Sequence, residues 1–219
     1  MCRQAALICA AMSLAFAADA PTCVRLRRAQ YGPDQPSLAV GKLLVAAREL
    51  GDPNFAETVI LIVDYDPDKG TSGLIINRRT DVPLSKVFPA IKTARNDPVY
   101  QGGPVETTAA QALLRASARP ANATRLFGDV YVTGSKELIE KSVAAATASS
   151  SFRVYVGYGG WAPGQLEHEI ELGAWDVLNG LPPIVFDDDP DSLWGRLEET
   201  AHERIVWKEA PILPHVIPR

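Results

Sequence analysis

Glu167 and Glu171 stand four residues apart, with His168 and Glu169 between them. On a helix that spacing puts the two carboxylates on one face. Carboxylates and an imidazole on adjacent turns can ligate a metal or move a proton. The spacing is not that of a His-Glu-x-x-His metal motif, and acids in a first helical turn are favoured by the helix dipole alone. The face therefore reads first as solvated and dipole-compensating. Just upstream, Gly157-x-Gly159-x-x-Ala162 follows the β-branched and aromatic run Phe152–Val156, the loose form of a dinucleotide fingerprint. Trp161 occupies the turn before the helix, and Gly173 ends that helix early. A tight turn, with Trp161 packed or lining a shallow cleft, explains the glycines better than a nucleotide does. Asp187-Asp188-Asp189-Pro190-Asp191 lacks the alternating ligands of a calcium loop and reads as a helix cap. There is no Gly-x-Ser-x-Gly, and two of the three histidines, His202 and His215, lie near the C-terminus. No cofactor and no metal are expected.

These residues need a framework. Leu43–Ala46 makes a first strand, and Asp52-Pro53 caps one helical turn. Thr58–Val63 is an apolar run suited to a strand covered on both faces. A turn through Asp66–Gly70 leads to its hairpin partner, Ser72–Asn77. A short helical piece at Leu84–Ile91 is interrupted by Pro89, and the strand Val99–Gln101 stops at Gly102-Gly103-Pro104. The periodicity of Ala110–Ala116 is ambiguous. Arg125–Thr133 reads as a strand or bent hairpin arm, Lys136–Ala148 as a helix, and Ala174–Leu178 as a strand. A final helix begins at Asp189-Pro190 and runs to about His202. The fold expected is α+β: one domain with a bent, barrel-like, mostly antiparallel or mixed sheet and flanking helices.

Asn77-Arg78, Gly102-Gly103 and the Trp161–Glu167 turn each end a predicted strand with residues better suited to turns, ligands or caps than to a core. They are expected to share one neighbourhood. Asn77, Arg78, Gly102, Gly103, Trp161, Gln165 and Glu167 are the candidate ligand-binding residues. There Arg78 pairs with Glu167 or holds an anionic ligand under Trp161; the plainer alternative is an Arg78–Glu167 tie with no ligand.

A net charge of −4 gives no basic field for nucleic acid, so no nucleic-acid partner is expected. Arg3, the uncharged stretch Ala5–Ala18 and Ala15-Phe16-Ala17 fit a cleaved leader over residues 1–17. The mature chain is then periplasmic or otherwise exported; with a misassigned start it is cytoplasmic. Cys2 and Cys9 leave with the leader, and Cys23 remains as a lone thiol. Residues 18–39, with Arg25, Arg27, Arg28, Pro33 and Pro36, read as a linker. The domain spans 40–204 and a tail 205–219. No stretch of the mature chain reaches transmembrane length.

Four blocks together resemble the YqgE/AlgH family. They are Leu43–Ala46 with Asp52–Phe55 and Thr58-Val59; Gly73–Arg78; Gly102–Val105; and Gly157–Trp161 with Gly164–Glu167, Glu169-Ile170 and Trp175. Arg79 departs from the proline that the family pattern has after Asn-Arg. The resemblance implies a single α+β domain with a bent sheet, carries over no catalytic residue, and includes members called regulators of exopolysaccharide production. The function expected is a non-catalytic one, binding a small ligand or a protein, or regulatory. The alternative is an enzyme using Glu167 or His168 near Arg78, and after it a DNA-binding regulator.

Overall fold

The computed structural model describes residues 37–92 and 95–209. The residues read as a leader, and most of those read as linker and tail, lie outside them. Ten strands form one curled sheet: β1 (Lys42–Ala46), β2 (Val59–Asp66), β3 (Gly70–Ile75), β4 (Arg79–Pro83), β5 (Pro98–Gln101), β6 (Val105–Arg115), β7 (Thr124–Phe127), β8 (Val130–Thr133), β9 (Phe152–Trp161) and β10 (Trp175–Asn179). Their order is β10-β1-β2-β3-β9-β6-β8-β7, with β5 joined to β9 and β4 to β5. Every pair is antiparallel except β5–β9. The helices are α1 (Leu84–Val87), α2 (Lys136–Ala144), α3 (Gln165–Glu171), α4 (Pro182–Val185) and α5 (Leu193–Glu209), and a 3-10 turn at Pro190–Ser192 leads into α5. The α+β, single-domain expectation holds.

The apolar run read as a doubly covered strand is one. Val59, Ile60, Leu61 and Ile62 are all fully buried. Leu61 packs with Leu43, Leu74 and Leu113 in one cluster, while Ile60 and Ile62 pack with Leu44, Ile75, Leu166 and Trp175 in another. Alternating side chains of β1–β3 thus feed two cores, one on each face of the sheet. Trp194 of α5 packs against both clusters, and its indole N–H reaches the Ala46 carbonyl at 2.8 Å. On the far side of β9, Ile139 and Val143 of α2 pack with Leu114, Tyr131 and Phe152.

Strand β9 joins the two halves of the sheet. Phe152–Val156 pairs with β6, Gly159–Trp161 pairs with β3, and Tyr155-Val156 pairs with β5. This corrects the reading of Gly157–Trp161 as a turn: the strand runs straight through the glycines to Trp161. The reason is close backbone approach. A Cβ on Gly102 would lie 2.3 Å from the Gly157 carbonyl oxygen, and one on Gly103 2.1 Å from the Tyr158 carbonyl carbon. The glycines let two main chains touch. Gly102 donates to the Val156 carbonyl and accepts from the Ile75 amide, both at 2.8 Å, which locks β3, β5 and β9 together.

The ambiguous stretch at Ala110–Ala116 is, through Arg115, the end of β6, whose pairing with β9 shifts register between Val105 and Ala110. Within the stretch itself Ala112, Leu113 and Leu114 are buried in succession, Leu113 in one core and Ala112 and Leu114 in another, which hides the period of two on which a strand is recognised. Arg125–Thr133 is the β7–β8 hairpin. Helix α5 runs past His202, and past residue 204 where the sequence ends the domain, to Glu209.

Candidate functional site

Of the predicted site residues, Asn77, Arg78 and Trp161 meet at one segment, residues 52–57, exposed at 52–54 and 57, while Gly102, Gly103, Gln165 and Glu167 make their contacts elsewhere. The Asp52 carbonyl accepts from the amides of Phe55 and Ala56 at 2.9 and 2.7 Å, and its carboxylate accepts from the Asn54 amide at 2.8 Å. This is the single turn that Asp52-Pro53 foretold. It closes at Glu57, whose φ of +57° is left-handed for a residue that carries a Cβ.

Asn77 and Arg78 hold that turn from beneath. Buried Asn77 accepts from the Val59 amide at 2.8 Å and donates to the Glu57 carbonyl at 3.0 Å. Arg78 donates to the carbonyls of Asn54 at 2.6 Å and Ala56 at 3.0 Å, with Pro53 at 3.5 Å. Partial burial lowers the Arg78 pKa, while the nearby Asp52 carboxylate raises it. A guanidinium fanned over the carbonyls of Pro53, Asn54 and Ala56 works like the C-terminal cap that so short a turn lacks.

From the other side the turn is pinned by Phe55. Its ring stacks on Trp161 at 5.7 Å between centroids and meets Trp175 edge-on at 5.9 Å. The two indoles meet edge-to-face at 6.0 Å. Trp161 is therefore packed, at 5% exposure. Both indole N–H groups donate to the same oxygen of Glu169, each at 2.9 Å. The second Glu169 oxygen accepts from Gln165 at 2.9 Å, and Gln165 in turn accepts from the Ala162 amide at 3.0 Å. Helix α3 is fastened to β9 and β10 through this one carboxylate.

The Arg78–Glu167 pair expected from the sequence does not form. Glu167 accepts from the Tyr65 hydroxyl at 3.0 Å, and burial, then this carboxylate, raise the Tyr65 pKa. The physical reason is position on the helix. Glu167 and Glu169 are two residues apart, so they point to different sides of α3, and it is Glu169 that faces the indoles. His168 lies 3.9 Å from Glu171 on the exposed side, with side chains 69% and 77% accessible. Gly102 and Gly103 serve the strand crossing described above. Among the described residues no group of three or more His, Cys, Asp or Glu side chains is placed to hold a metal.

Sequence reasoning missed Phe55 and Glu169. Two tryptophans whose N–H groups need a buried acceptor, with an acid between them in the chain, were the available signal. It also missed Arg153, set in a run read as apolar. Arg153 is 4% exposed and donates to the carbonyls of Ser149, Val185 and Asp187 at 3.2, 3.3 and 2.5 Å. Its guanidinium also lies over the rings of Tyr100 and Phe186, at 5.1 and 5.7 Å.

The sequence and the fold have known counterparts. Residues 43–205 match the family model described as AlgH-like. A UPF0301 protein of Streptomyces avermitilis is 34% identical over 171 residues, covering 74% of this chain and 86% of that protein. One of Ralstonia nicotianae is 32% identical over 161 residues, covering 71% and 84%. Among solved structures, a protein of Corynebacterium diphtheriae superposes with a TM-score of 0.64 at 29% identity, covering 80% of this chain and 92% of its own. The AlgH protein from Pseudomonas aeruginosa, solved in solution, gives 0.61 at 27% identity, covering 84% and 100%. By sequence and by fold, the chain belongs to the AlgH-like family.

Proposed function

We propose that this is a non-catalytic binding protein whose recognition surface is the turn over residues 52–57. The observation that carries the reading is the use of Arg78. Its guanidinium is committed to main-chain carbonyls of a turn whose residues 52–54 and 57 are exposed. An exposed turn fixed by Arg78, Asn77 and Phe55, with a non-glycine residue held left-handed at its end, is preorganised well beyond what a connection requires. It presents Asp52, Asn54 and Glu57 in fixed positions. The enzyme alternative loses ground on geometry, since Glu167 is bonded to Tyr65 and His168 faces outward, both away from the Arg78 contacts.

The experiment is site-specific photocrosslinking in native cells, from a photoreactive residue at Asn54 and, as control, at Lys136. The expected result is a discrete product from position 54 that is absent from 136 and is lost in Arg78→Ala, which loosens the turn while the core remains folded. The same products from both positions, or a product from 54 that Arg78→Ala leaves intact, overturns the reading.

We further propose that the mature chain is exported after cleavage behind Ala17. Arg3, the Ala5–Ala18 stretch and Ala15-Phe16-Ala17 support this. Among the described residues no helix is long and apolar enough to cross a membrane.

A further inference from the structure

Phe127 lies where the two ends of the curled sheet meet. Strands β7 and β10 end the strand path, and among the described residues β7 pairs only with β8 and β10 only with β1. No backbone ladder joins them. The contact between them is a ring on two glycines. A Cβ on Gly41, just before β1, would lie 2.8 Å from the Phe127 ring, and one on Gly180, just after β10, 2.9 Å from it. The half-buried ring fits where neither residue could carry a side chain.

Three local departures from regular structure serve this one ring. The register of β7 on β8 shifts between Arg125 and Phe127, and such a bulge re-aims a side chain. Consecutive residues Leu126 and Phe127 therefore both turn to the same apolar cluster, where strict alternation would send one of them outward. Gly41 is left-handed, with φ +86°. Gly180 has no left-handed φ to account for it; it is needed for room, because a Cβ there would also lie 2.3 Å from the Gly41 carbonyl oxygen. That oxygen accepts from the Gly180 amide at 3.0 Å, so the ring covers the last bond of the β1–β10 side.

A seam closed by a side chain is weaker than the laddered pairs on either side of it, and local openings follow such boundaries. The tip of the β7–β8 hairpin is free to move with it, since a Cβ on Gly128 would meet nothing within 4 Å.

We propose that Phe127 is a latch. Its ring seats in the Gly41–Gly180 notch to shut the curled sheet, and it lifts out in a local opening that leaves β1, β2, β3 and β9 paired. Shut, the latch holds the two terminal strands against each other; open, it frees their outer edges, the places where another strand adds to a sheet. This inference is independent of the role given to the 52–57 turn.

Native-state hydrogen exchange of the full chain in low urea, read by NMR, tests it. The Gly180 amide reports the latch. The Ile76 amide, bonded to the Val59 carbonyl at 2.9 Å and fully buried, reports global unfolding. In the parent, Gly180 is expected to exchange through an opening with a weaker urea dependence than Ile76. Phe127→Ala should speed Gly180 exchange about tenfold, as losing a half-buried aromatic side chain implies. Phe127→Leu, which keeps an apolar side chain and serves if the alanine variant fails to fold, should speed it less but in the same direction. Equal urea dependence at Gly180 and Ile76 overturns the proposal, because the seam then opens only when the whole domain does; that result needs no variant. So does a Gly180 rate that substitution of Phe127 leaves unchanged, since the end of the β1–β10 ladder then frays without the ring.

Discussion

Replacing Glu169 by alanine removes three hydrogen bonds at once. Two of them leave the indole N–H groups of Trp161 and Trp175 without their acceptor, in side chains only 5% and 1% exposed. A buried donor stripped of its partner costs about 1–3 kcal/mol. The Gln165 bond lies at the surface and adds little. Alanine's better helix propensity returns a few tenths of a kcal/mol. The net expectation for Glu169→Ala is a loss of about 3 kcal/mol, or roughly 10 °C in Tm for a domain of this size. Glu169→Gln keeps an oxygen for the indoles and loses the charge assistance, so about 1 kcal/mol is expected. Glu167→Ala removes one partly exposed phenol contact and should cost about 1 kcal/mol or less. Urea unfolding followed by tryptophan fluorescence and by far-ultraviolet circular dichroism measures all three, provided the two probes coincide. A Glu169→Ala protein no less stable than Glu167→Ala refutes the reasoning, because α3 would then be held without its indole clamp.

Arg153 tests whether a buried cation can be held by carbonyls and rings. Arg153→Lys keeps the charge but not the planar fork that reaches three carbonyls, so a loss of about 3 kcal/mol is expected in the same unfolding assay; stability within about 0.5 kcal/mol of the parent, the range of an ordinary surface substitution, defeats the idea. Export is read directly from the N-terminus of the native protein: a chain beginning at Ala18 is expected, and an intact Met1 in a cytoplasmic fraction rejects it.

The order of β1, β2 and β3, the α2 helix and the hairpin turn at Asp66–Gly70 were legible because each is written in adjacent residues. An apolar run, a cap or a glycine after aspartates acts over a few positions, and local sterics suffice to read it. The glycine and tryptophan block was likewise visible as the place where something unusual happens. What happens there was decided by tertiary structure. Gly157–Trp161 stays in strand β9 because Thr71–Gly73 of β3 pairs with Gly159–Trp161 and because Gly102-Gly103, more than fifty residues earlier, brings its backbone against Gly157 and Tyr158.

The partners of the polar residues were decided in the same way. Arg78 is an obvious cation, but its acceptors are main-chain carbonyls, which every residue carries and no sequence marks. Glu167 and Glu169 are alike as residues, and the rotation of α3 on the sheet sends one to Tyr65 and the other to two indoles. Sequence alone determined which groups had to be satisfied; only the packed sheet determined which neighbour satisfied each, because burial forces a polar group to take the partner that the fold has placed beside it.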